Sequence, residues 1–226
     1  LMKNKPFLWL LSASLMAMLT QFVISAVNTY LFKDYFANAT ALSLMGLVQM
    51  AATFIAFPLV KPLVAKFGKR EVSIAGMALA SVMYIVLFFL KGIGTMPFIF
   101  MAAIALFGTG FYGFVTWAFI SDVIDYHELQ TSLREDATVY SVISMSRKVG
   151  QAVAGGVGGV AIAAVGYDAA LGQQPQDVLD GIYMLGTLVP GIFYGIIAVL
   201  LFMYPLNKQK TIQLSKELEA KRHANG

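Results

Sequence analysis

The residues of this sequence that could carry chemistry are concentrated in one stretch, residues 121–151. It holds five of the chain's twelve acidic residues and three basic ones: Asp122, Asp125, Glu128, Glu135, Asp136, Arg134, Arg147 and Lys148. The last two fall inside an apolar segment, where a charge costs on the order of 2.5–3.5 kcal/mol at membrane depth. A buried charge of this kind needs a counter-charge, water or a polar ligand, so Lys148 is predicted to lie at a functional site.

The acidic residues of this stretch have a helical spacing. Asp122, Asp125 and Glu128 are separated by three residues each, which places them roughly on one helix face, and Arg134 follows in a connection. Such charges are often no more than the solvated end of a helix. They could also form a gate, in which these charges pair with basic residues in one conformation and separate from them in another. The residues leave both interpretations open.

A polar stripe follows in the next apolar segment. Ser141, Ser144, Lys148 and Gln151 recur at i, i+3, i+7 and i+10, with Tyr140 at the start. At 1.5 Å per residue, Lys148 lies roughly 15 Å into a segment that begins near residue 138, close to mid-bilayer. No acidic residue occurs at a comparable depth in the chain. Lys148 is therefore expected to face a cavity, with a ligand, water or another part of the protein as its partner.

Two further groups of polar side chains share helix faces. Gln21, Ser25 and Asn28 recur at i, i+4 and i+7, as expected for hydrogen bonds between packed helices or for the wall of an aqueous cavity. Thr109, Tyr112 and Thr116 form the second group, with Trp117 beside them. An aromatic ring with hydroxyls on one face suits a sugar, whose C–H faces stack on rings while its hydroxyls need partners. Trp117 also fits an interfacial aromatic belt.

The elements that position these residues are membrane-spanning helices. Of the 226 residues, 58% are hydrophobic and 12% are charged, with a mean hydropathy of +0.73, which is typical of membrane proteins. Six segments have the roughly 20 apolar residues that a span needs: 6–32, 41–60, 72–90, 96–120, 138–165 and 181–204. With no cysteine, the chain has neither disulfides nor thiolate metal sites, and no cofactor or metal is expected.

The distribution of basic residues predicts the topology. With six spans, fourteen Lys and Arg residues fall on the side of the N-terminus and two, Lys33 and Lys91, on the other. This positive-inside asymmetry predicts that both termini are cytoplasmic, and it explains the net charge of +4 without any nucleic-acid partner. We divide the chain into a transmembrane unit, 1–205, and a cytoplasmic amphipathic tail, 206–226. The chain opens on Leu1 without a lead-in, as expected of a segment of a longer protein.

Residues 121–151 resemble the corresponding stretch of a known family of carriers. Its segments SDVIDYHEL, LRED and YSVISMSRKVGQA are similar to those of the glycoside–pentoside–hexuronide:cation symporters, the melibiose-carrier family of the major facilitator superfamily. The six spans, the KPLVAKFGKR connection and the YPLNKQK…LEAKR tail agree with the second half of that family. The resemblance implies an all-α integral membrane protein: a six-helix bundle, one half of a twelve-helix transporter.

The family's functional positions can be carried over to this chain. The resemblance implies secondary active transport of a sugar or glycoside with Na⁺ or H⁺ across the cell membrane by alternating access. It places Lys148 and Ser144 at the substrate cavity and Asp122, Asp125 and Arg134 at the cytoplasmic gate. With the groups found on shared faces, the substrate-binding candidates are Gln21, Asn28, Tyr112, Thr116, Trp117, Tyr140, Ser144 and Lys148. The coupling ion and the main sugar-binding acid are expected in an N-terminal six-helix half, the implied partner within the bilayer.

Other functions remain open at this point. Gly113 stands where the melibiose carrier has a cavity tryptophan, so a galactoside preference does not carry over. A lysolipid cargo, or a free-standing six-helix protein that dimerises, would fit the same spans. Asp122-x-x-Asp125 also resembles the magnesium-diphosphate motif of membrane prenyltransferases. Those enzymes need a second aspartate-rich motif on the same side, whereas residues 168–180 are predicted to be exterior, so an enzyme is not expected.

Overall fold

The structure, a computed structural model, describes residues 4–225 except for the side chains of residues 154, 155, 224 and 225. Within this part of the chain the secondary structure is entirely helical. The helices are α1 (Lys5–Tyr30), α2 (Thr40–Phe67), α3 (Lys69–Phe89), α4 (Thr95–Thr131), α5 (Asp136–Ala164), α6 (Gln176–Met203) and α7 (Lys208–Asn225). A π-helical turn, Leu31–Tyr35, continues α1 without a break.

Local sequence explains where several helices begin and end. The Asn4 side chain accepts a hydrogen bond of 3.0 Å from the Phe7 amide, which caps α1. Gly68 alone separates α2 from α3, and its φ of 105° is a conformation that glycine tolerates and other residues rarely adopt. Ser132, with φ of 60°, ends α4 and turns the chain towards α5.

The six long helices are packed in the order α5, α1, α6, α3, α4 and α2, each against the next. The core lies where α3 meets α4 and α6, and it includes the fully buried rings of Tyr84, Phe98 and Tyr183. The Tyr183 hydroxyl donates a hydrogen bond of 2.6 Å to the Leu87 carbonyl, which ties α6 to the end of α3. The helices α2 and α5 stand at the two ends of this order. Polar residues of α1, α2, α4 and α5 line a common space.

Small residues set how α5 lies against α1. A Cβ added to Gly150 would lie 3.2 Å from the Met18 Cβ, and one added to Gly158 would lie 2.6 Å from the Ala26 Cβ. The two contact positions are eight residues apart on each helix and follow the same chain direction. The helices α5 and α1 are therefore in close parallel contact over two turns. The residue between them on this face, residue 154, lies outside the described side chains. These glycines therefore fix the rotation of α5 about its own axis.

Five helices of the described chain are long and apolar enough to cross a membrane: α1 with its π-helical turn, α2, α3, α4 and α6. The sequence predicts six, and α5 is the one that does not reach that threshold. Its basic pair, Arg147 and Lys148, and its many glycines lower its hydropathy. The fourth helix differs from expectation in length, because α4 continues to Thr131, well past the predicted end of the span at residue 120.

The tail folds back onto the bundle. Its first lysine, Lys208, donates hydrogen bonds to the Ala65 and Lys66 carbonyls at the end of α2, at 2.6 and 3.0 Å. Near the other end of α7, Lys221 donates to the Leu129 carbonyl of α4 at 2.9 Å. Between these contacts Leu214 and Leu218 are buried. We call this end of the bundle, which also holds Asn4 and the α4–α5 connection, the charged end.

Candidate functional site

A cavity of about 420 Å³ lies between α1, α2 and α4. The buried residues Met77, Tyr84 and Tyr194, from α3 and α6, contribute to its wall. Its volume falls in the range of about 300–1,000 Å³ that is usual for small-molecule sites. The other polar and aromatic side chains that face it are Ser14, Gln21, Ser25, Asn28, Gln49, Thr109, Tyr112, Thr116, Trp117 and Arg147.

The two stripes predicted on α1 and α4 meet at this cavity. Gln21, Ser25 and Asn28 line it from one side, so this polar face of α1 borders open space rather than another helix. Residues 109, 112, 116 and 117 of α4 line it from the other side, with the exposed Gly113 among them. The structure thus brings Gln21, Asn28, Tyr112, Thr116 and Trp117 together around one space.

The hydroxyl groups of the cavity are largely occupied by bonds within the protein. Thr109 donates to the Leu106 carbonyl at 2.9 Å and Thr116 donates to the Tyr112 carbonyl at 2.6 Å. The Tyr112 hydroxyl lies 3.4 Å from the Ser14 hydroxyl across the α1–α4 contact. These groups keep lone pairs for a ligand, but the hydrogen atoms of both threonine hydroxyls are used by their own helix.

The amide and guanidinium groups of the cavity, unlike most of its hydroxyls, are not bonded within the described part of the chain. Among the described residues, no hydrogen-bond partner is found for the side chains of Gln21, Asn28, Gln49 and Arg147. Each amide has two N–H donors and an acceptor oxygen, and the guanidinium has five N–H donors. These groups are therefore available to a polar ligand.

Arg147 is held in the cavity wall by aromatic rings. Its guanidinium carbon lies 5.7 Å from the centroid of the Trp117 ring, within the range of a cation–π contact. The Trp117 ring is in turn stacked on Tyr140, with centroids 6.3 Å apart and an angle of 26° between the rings. Tyr140 thus supports the site through Trp117, and it does not itself line the cavity.

Lys148 and Ser144 lie apart from the cavity of this bundle, and their place at a substrate site stays a prediction. Lys148 and Ser144 are exposed on α5, and neither lines the cavity of this bundle, whereas Arg147 does. Adjacent residues of a helix point about 100° apart, and the rotation of α5 directs Arg147 to the cavity and Lys148 away from it. The polar stripe of Ser144, Lys148 and Gln151 instead faces away from the helices of this chain.

Sequence reasoning missed three residues of the cavity wall: Ser14, Gln49 and Arg147. A signal for the last was present, because Tyr140 and Arg147 are seven residues apart and so share a helix face. Gln49 lies in a span with little other polar content, where a single amide gives no stripe to detect. For Ser14 the sequence holds no signal that we can identify.

A second set of functional candidates lies at the charged end. The Lys69 ammonium lies 2.6 Å from the Asp122 carboxylate, so the first residue of α3 is tied to α4. Asp122 is the more buried partner, and its closest basic group is Lys69 rather than Arg134. The three predicted gate residues are thus divided between two ion-pair groups.

The other group is centred on Arg134. Its guanidinium bonds to Asp125 at 3.0 Å, to Glu128 at 2.8 Å and to Asp136 at 2.8 Å. The hydrogen bond that Arg134 donates to Glu128, with the further bonds it donates to Asp125 and Asp136, raises the pKa of Arg134 above its usual value, so this residue keeps its charge. Arg222 of α7 joins the group through two bonds to Glu128, at 3.0 and 2.7 Å.

Metal-binding geometry is not found in the described part of the chain. No three His, Cys, Asp or Glu side chains within residues 4–225 come together in an arrangement that could hold a metal ion. At the charged end, Asp122 is paired with Lys69, and Asp125 and Glu128 are paired with arginine.

Comparison with known proteins gives the family. The sequence profile of the family described as MFS/sugar transport protein matches residues 1–208. This chain belongs to the MFS/sugar transport family. Members of the family are transporters, not enzymes, and the chain is accordingly a multi-pass membrane protein of the transporter class.

Three curated relatives of this MFS chain illustrate its similarities. It is 32% identical over 222 residues to the glucuronide carrier protein homolog of Escherichia coli K12, covering 97% of the chain. It is 32% identical over 219 residues to the putative sulfoquinovose importer of Salmonella typhimurium LT2, covering 96%. It is 30% identical over 223 residues to the isoprimeverose transporter of Lactiplantibacillus pentosus, covering 98%.

The MFS chain spans about half the length of the curated relatives that it matches. It covers 48%, 46% and 46% of these three proteins, although nearly the whole chain is aligned in each case. The cavity, the charged end and the tail helix described above therefore correspond to one half of a relative.

Proposed function

We propose that this chain is the C-terminal half of a secondary active transporter that moves a sugar or glycoside together with Na⁺ or H⁺. In this proposal, two six-helix bundles rock about a substrate site at the middle of the membrane. The half-length match to sugar and glycoside carriers supports the proposal from the comparisons. The observation that carries it is the cavity, whose unpartnered amides stand beside aromatic rings.

The proposal takes α5 as a sixth span and both termini as cytoplasmic. The charge asymmetry of the sequence supports this topology. The position of Asn4, the α4–α5 connection and α7 at one end of the bundle agrees with it. An intramembrane helix with a polar face is expected where that face borders a cavity or another bundle. The exposed stripe of Ser144 and Lys148 would then face the N-terminal half.

The substrate site is proposed to consist of the cavity residues Gln21, Asn28, Tyr112, Thr116, Trp117 and Arg147, with Lys148 and Ser144 closing it from the interface with the other half. Amides and a guanidinium offer the hydrogen-bond donors that sugar hydroxyls require. Trp117 offers a ring on which an apolar sugar face can stack. The coupling ion is proposed to bind mainly in the N-terminal half.

The charged end is proposed to act as the cytoplasmic gate. Asp122 with Lys69, and Asp125 with Arg134, hold α3, α4 and the α4–α5 connection together in the observed conformation. Opening of this side would separate some of these pairs, as in other two-state electrostatic elements. These ion pairs are thus candidates for the contacts that change during the transport cycle.

The test is uptake by the full-length carrier in membrane vesicles. We expect accumulation of a labelled sugar or glycoside that requires an imposed Na⁺ or H⁺ gradient and collapses when that gradient is dissipated. Equal uptake with and without a gradient would contradict symport. Gradient-driven accumulation of a lysolipid but of no sugar would favour the alternative cargo.

The half-transporter assignment has a test of its own. An antibody against residues 206–226 should detect a native membrane protein of about twice the 24.5 kDa of this chain. A band at 24.5 kDa would instead indicate a free-standing bundle, and chemical cross-linking would then be expected to give dimers.

A further inference from the structure

Arg147 is the only charged side chain among the described residues that line the cavity. No ion pair to its guanidinium is found within the described part of the chain. A cation in an apolar bundle is costly unless an anion or several acceptors satisfy it. The cavity wall beside it offers rings, amides and hydroxyls but no carboxylate.

The surroundings of Arg147 orient it for a ligand. Its guanidinium lies over the face of the Trp117 ring, and Tyr140 stacks on that tryptophan. No hydrogen-bond partner is found for this guanidinium among the described residues, so its N–H edges are free. Those edges form a planar fork that matches two oxygens of one oxyanion.

We propose that Arg147 binds an anionic group of the transported sugar, so that the cargo is an acidic sugar with a carboxylate or a sulfonate. This inference rests on the proposed function and adds to it the chemical class of substrate. The oxyanion lies against Arg147 and Trp117, and the neutral part of the sugar extends along the cavity towards Gln21, Asn28 and Gln49. The amides then serve hydroxyl groups, and the guanidinium serves the charge.

The amides and the guanidinium differ in which sugars they can distinguish. Amides bind neutral sugars and acidic sugars alike, since both carry hydroxyls. A guanidinium that has no counter-charge of its own binds an oxyanion strongly, and it stays without a counter-charge when the ligand is neutral. Arg147 therefore creates discrimination rather than general affinity.

The experiment compares matched sugars in the full-length carrier. Gradient-driven uptake is measured for p-nitrophenyl glucuronide against p-nitrophenyl glucoside, and for sulfoquinovose against glucose, in vesicles with equal amounts of carrier. We expect an acidic-to-neutral uptake ratio of about 10 to 100 in the wild type, the range expected for a charge-assisted hydrogen bond. The pair with the larger ratio distinguishes a carboxylate from a sulfonate.

Variants of Arg147 test the residue itself. Arg147→Gln should lower the ratio to about one, because the acidic sugar loses the partner of its charge and the neutral sugar loses none. Arg147→Lys keeps the charge but loses the fork, so it should lower the ratio by about three- to tenfold. Arg70→Gln removes a guanidinium outside the cavity, where Arg70 bonds to the Leu201 carbonyl, and should leave the ratio unchanged.

The possible results separate this inference from the proposed function. A wild-type carrier that takes up neutral and acidic sugars equally would overturn the inference and leave sugar transport standing. An unchanged ratio in Arg147→Gln would also overturn it. Should that variant not reach the membrane, an unchanged ratio in Arg147→Lys would do the same. Uptake of neither class of sugar would overturn the proposed function and the inference together.

Discussion

Gly76 of α3 and Gly108 of α4 face each other where the two helices cross, and each occupies the place where the other's Cβ would be. A Cβ added to Gly76 would overlap the Gly108 carbonyl oxygen, and one added to Gly108 would overlap the Gly76 carbonyl oxygen. The obstruction in both cases is backbone, which cannot rotate away. The close contact of α3 with α4, which forms the centre of the core, therefore depends on both glycines.

We predict that Gly76→Ala separates α3 from α4 and destabilises the bundle by about 1–3 kcal/mol, as overpacking does in cores. The measurement is the temperature at which the detergent-solubilised carrier loses its monodisperse peak in size-exclusion chromatography. Gly156→Ala is the matched control, since no atom lies within 4 Å of the Cβ it would add. Equal melting temperatures for the two variants would contradict this account of the crossing.

The two residues of the Lys69–Asp122 pair are predicted to differ in how much stability is lost when each is replaced. Lys69→Gln leaves the buried Asp122 carboxylate without its cation and should cost about 3–5 kcal/mol. Asp122→Asn leaves the more exposed lysine, which can reach water, and should cost less. Melting temperatures of both variants and of the double variant are the measurement, and the double variant should be more stable than Lys69→Gln alone. Lys61→Gln, at an exposed position near the end of α2, should have no effect.

The contact of α7 with Glu128 predicts sensitivity to salt. Arg222 and Arg134 are about half exposed, so their bonds to Glu128 are open to screening. The Debye length falls from about 30 Å at 0.01 M salt to about 3 Å at 1 M. Cleavage of the tail by proteinase K should therefore accelerate as salt rises, and Arg222→Gln should be cleaved faster than the wild type at low salt. Lys216→Gln should behave as the wild type, and identical rates in Arg222→Gln would contradict the role of this contact.

The hydrogen bonds of the cavity predict which polar groups matter for uptake. Asn28 has no partner among the described residues, whereas the Thr109 hydroxyl already donates to the Leu106 carbonyl. Asn28→Leu in the full-length carrier should raise the KM for the sugar by about tenfold or more, the usual cost of a lost hydrogen bond in a buried site. Thr109→Val should change it by less than about threefold. A larger effect of the threonine would show that the ligand uses its hydroxyl.

Lys148 can be tested by accumulation. Its exposed position on α5 and its predicted depth near the middle of the bilayer favour a place at the interface with the proposed N-terminal half. Lys148→Ala should abolish accumulation while the protein still inserts into the membrane, as measured by blotting of washed membranes. Ala152→Ser, on the same helix and also exposed, is the control for tolerance of α5 to substitution. Normal accumulation by Lys148→Ala would remove this lysine from the site.

The amino-acid sequence by itself determined the helical architecture and the class of the protein. Runs of about 20 apolar residues have no stable alternative to helices in lipid, because every backbone group must be satisfied within the segment. The same periodicity placed Gln21 and Asn28 on one face, and Tyr112 and Thr116 on another. These local relationships follow from 3.6 residues per turn and need no knowledge of neighbouring helices.

Only the tertiary structure decided which faces meet. Arg147 and Lys148 are adjacent in the sequence, and either could line a cavity. The choice depends on the rotation of α5, which Gly150 and Gly158 fix by packing on α1. The partner of Asp122 was decided in the same way, because Lys69 lies 53 residues away and is brought close by the α3–α4 crossing. Such contacts are set by side-chain volumes on two helices at once, and the pattern of one helix does not contain them.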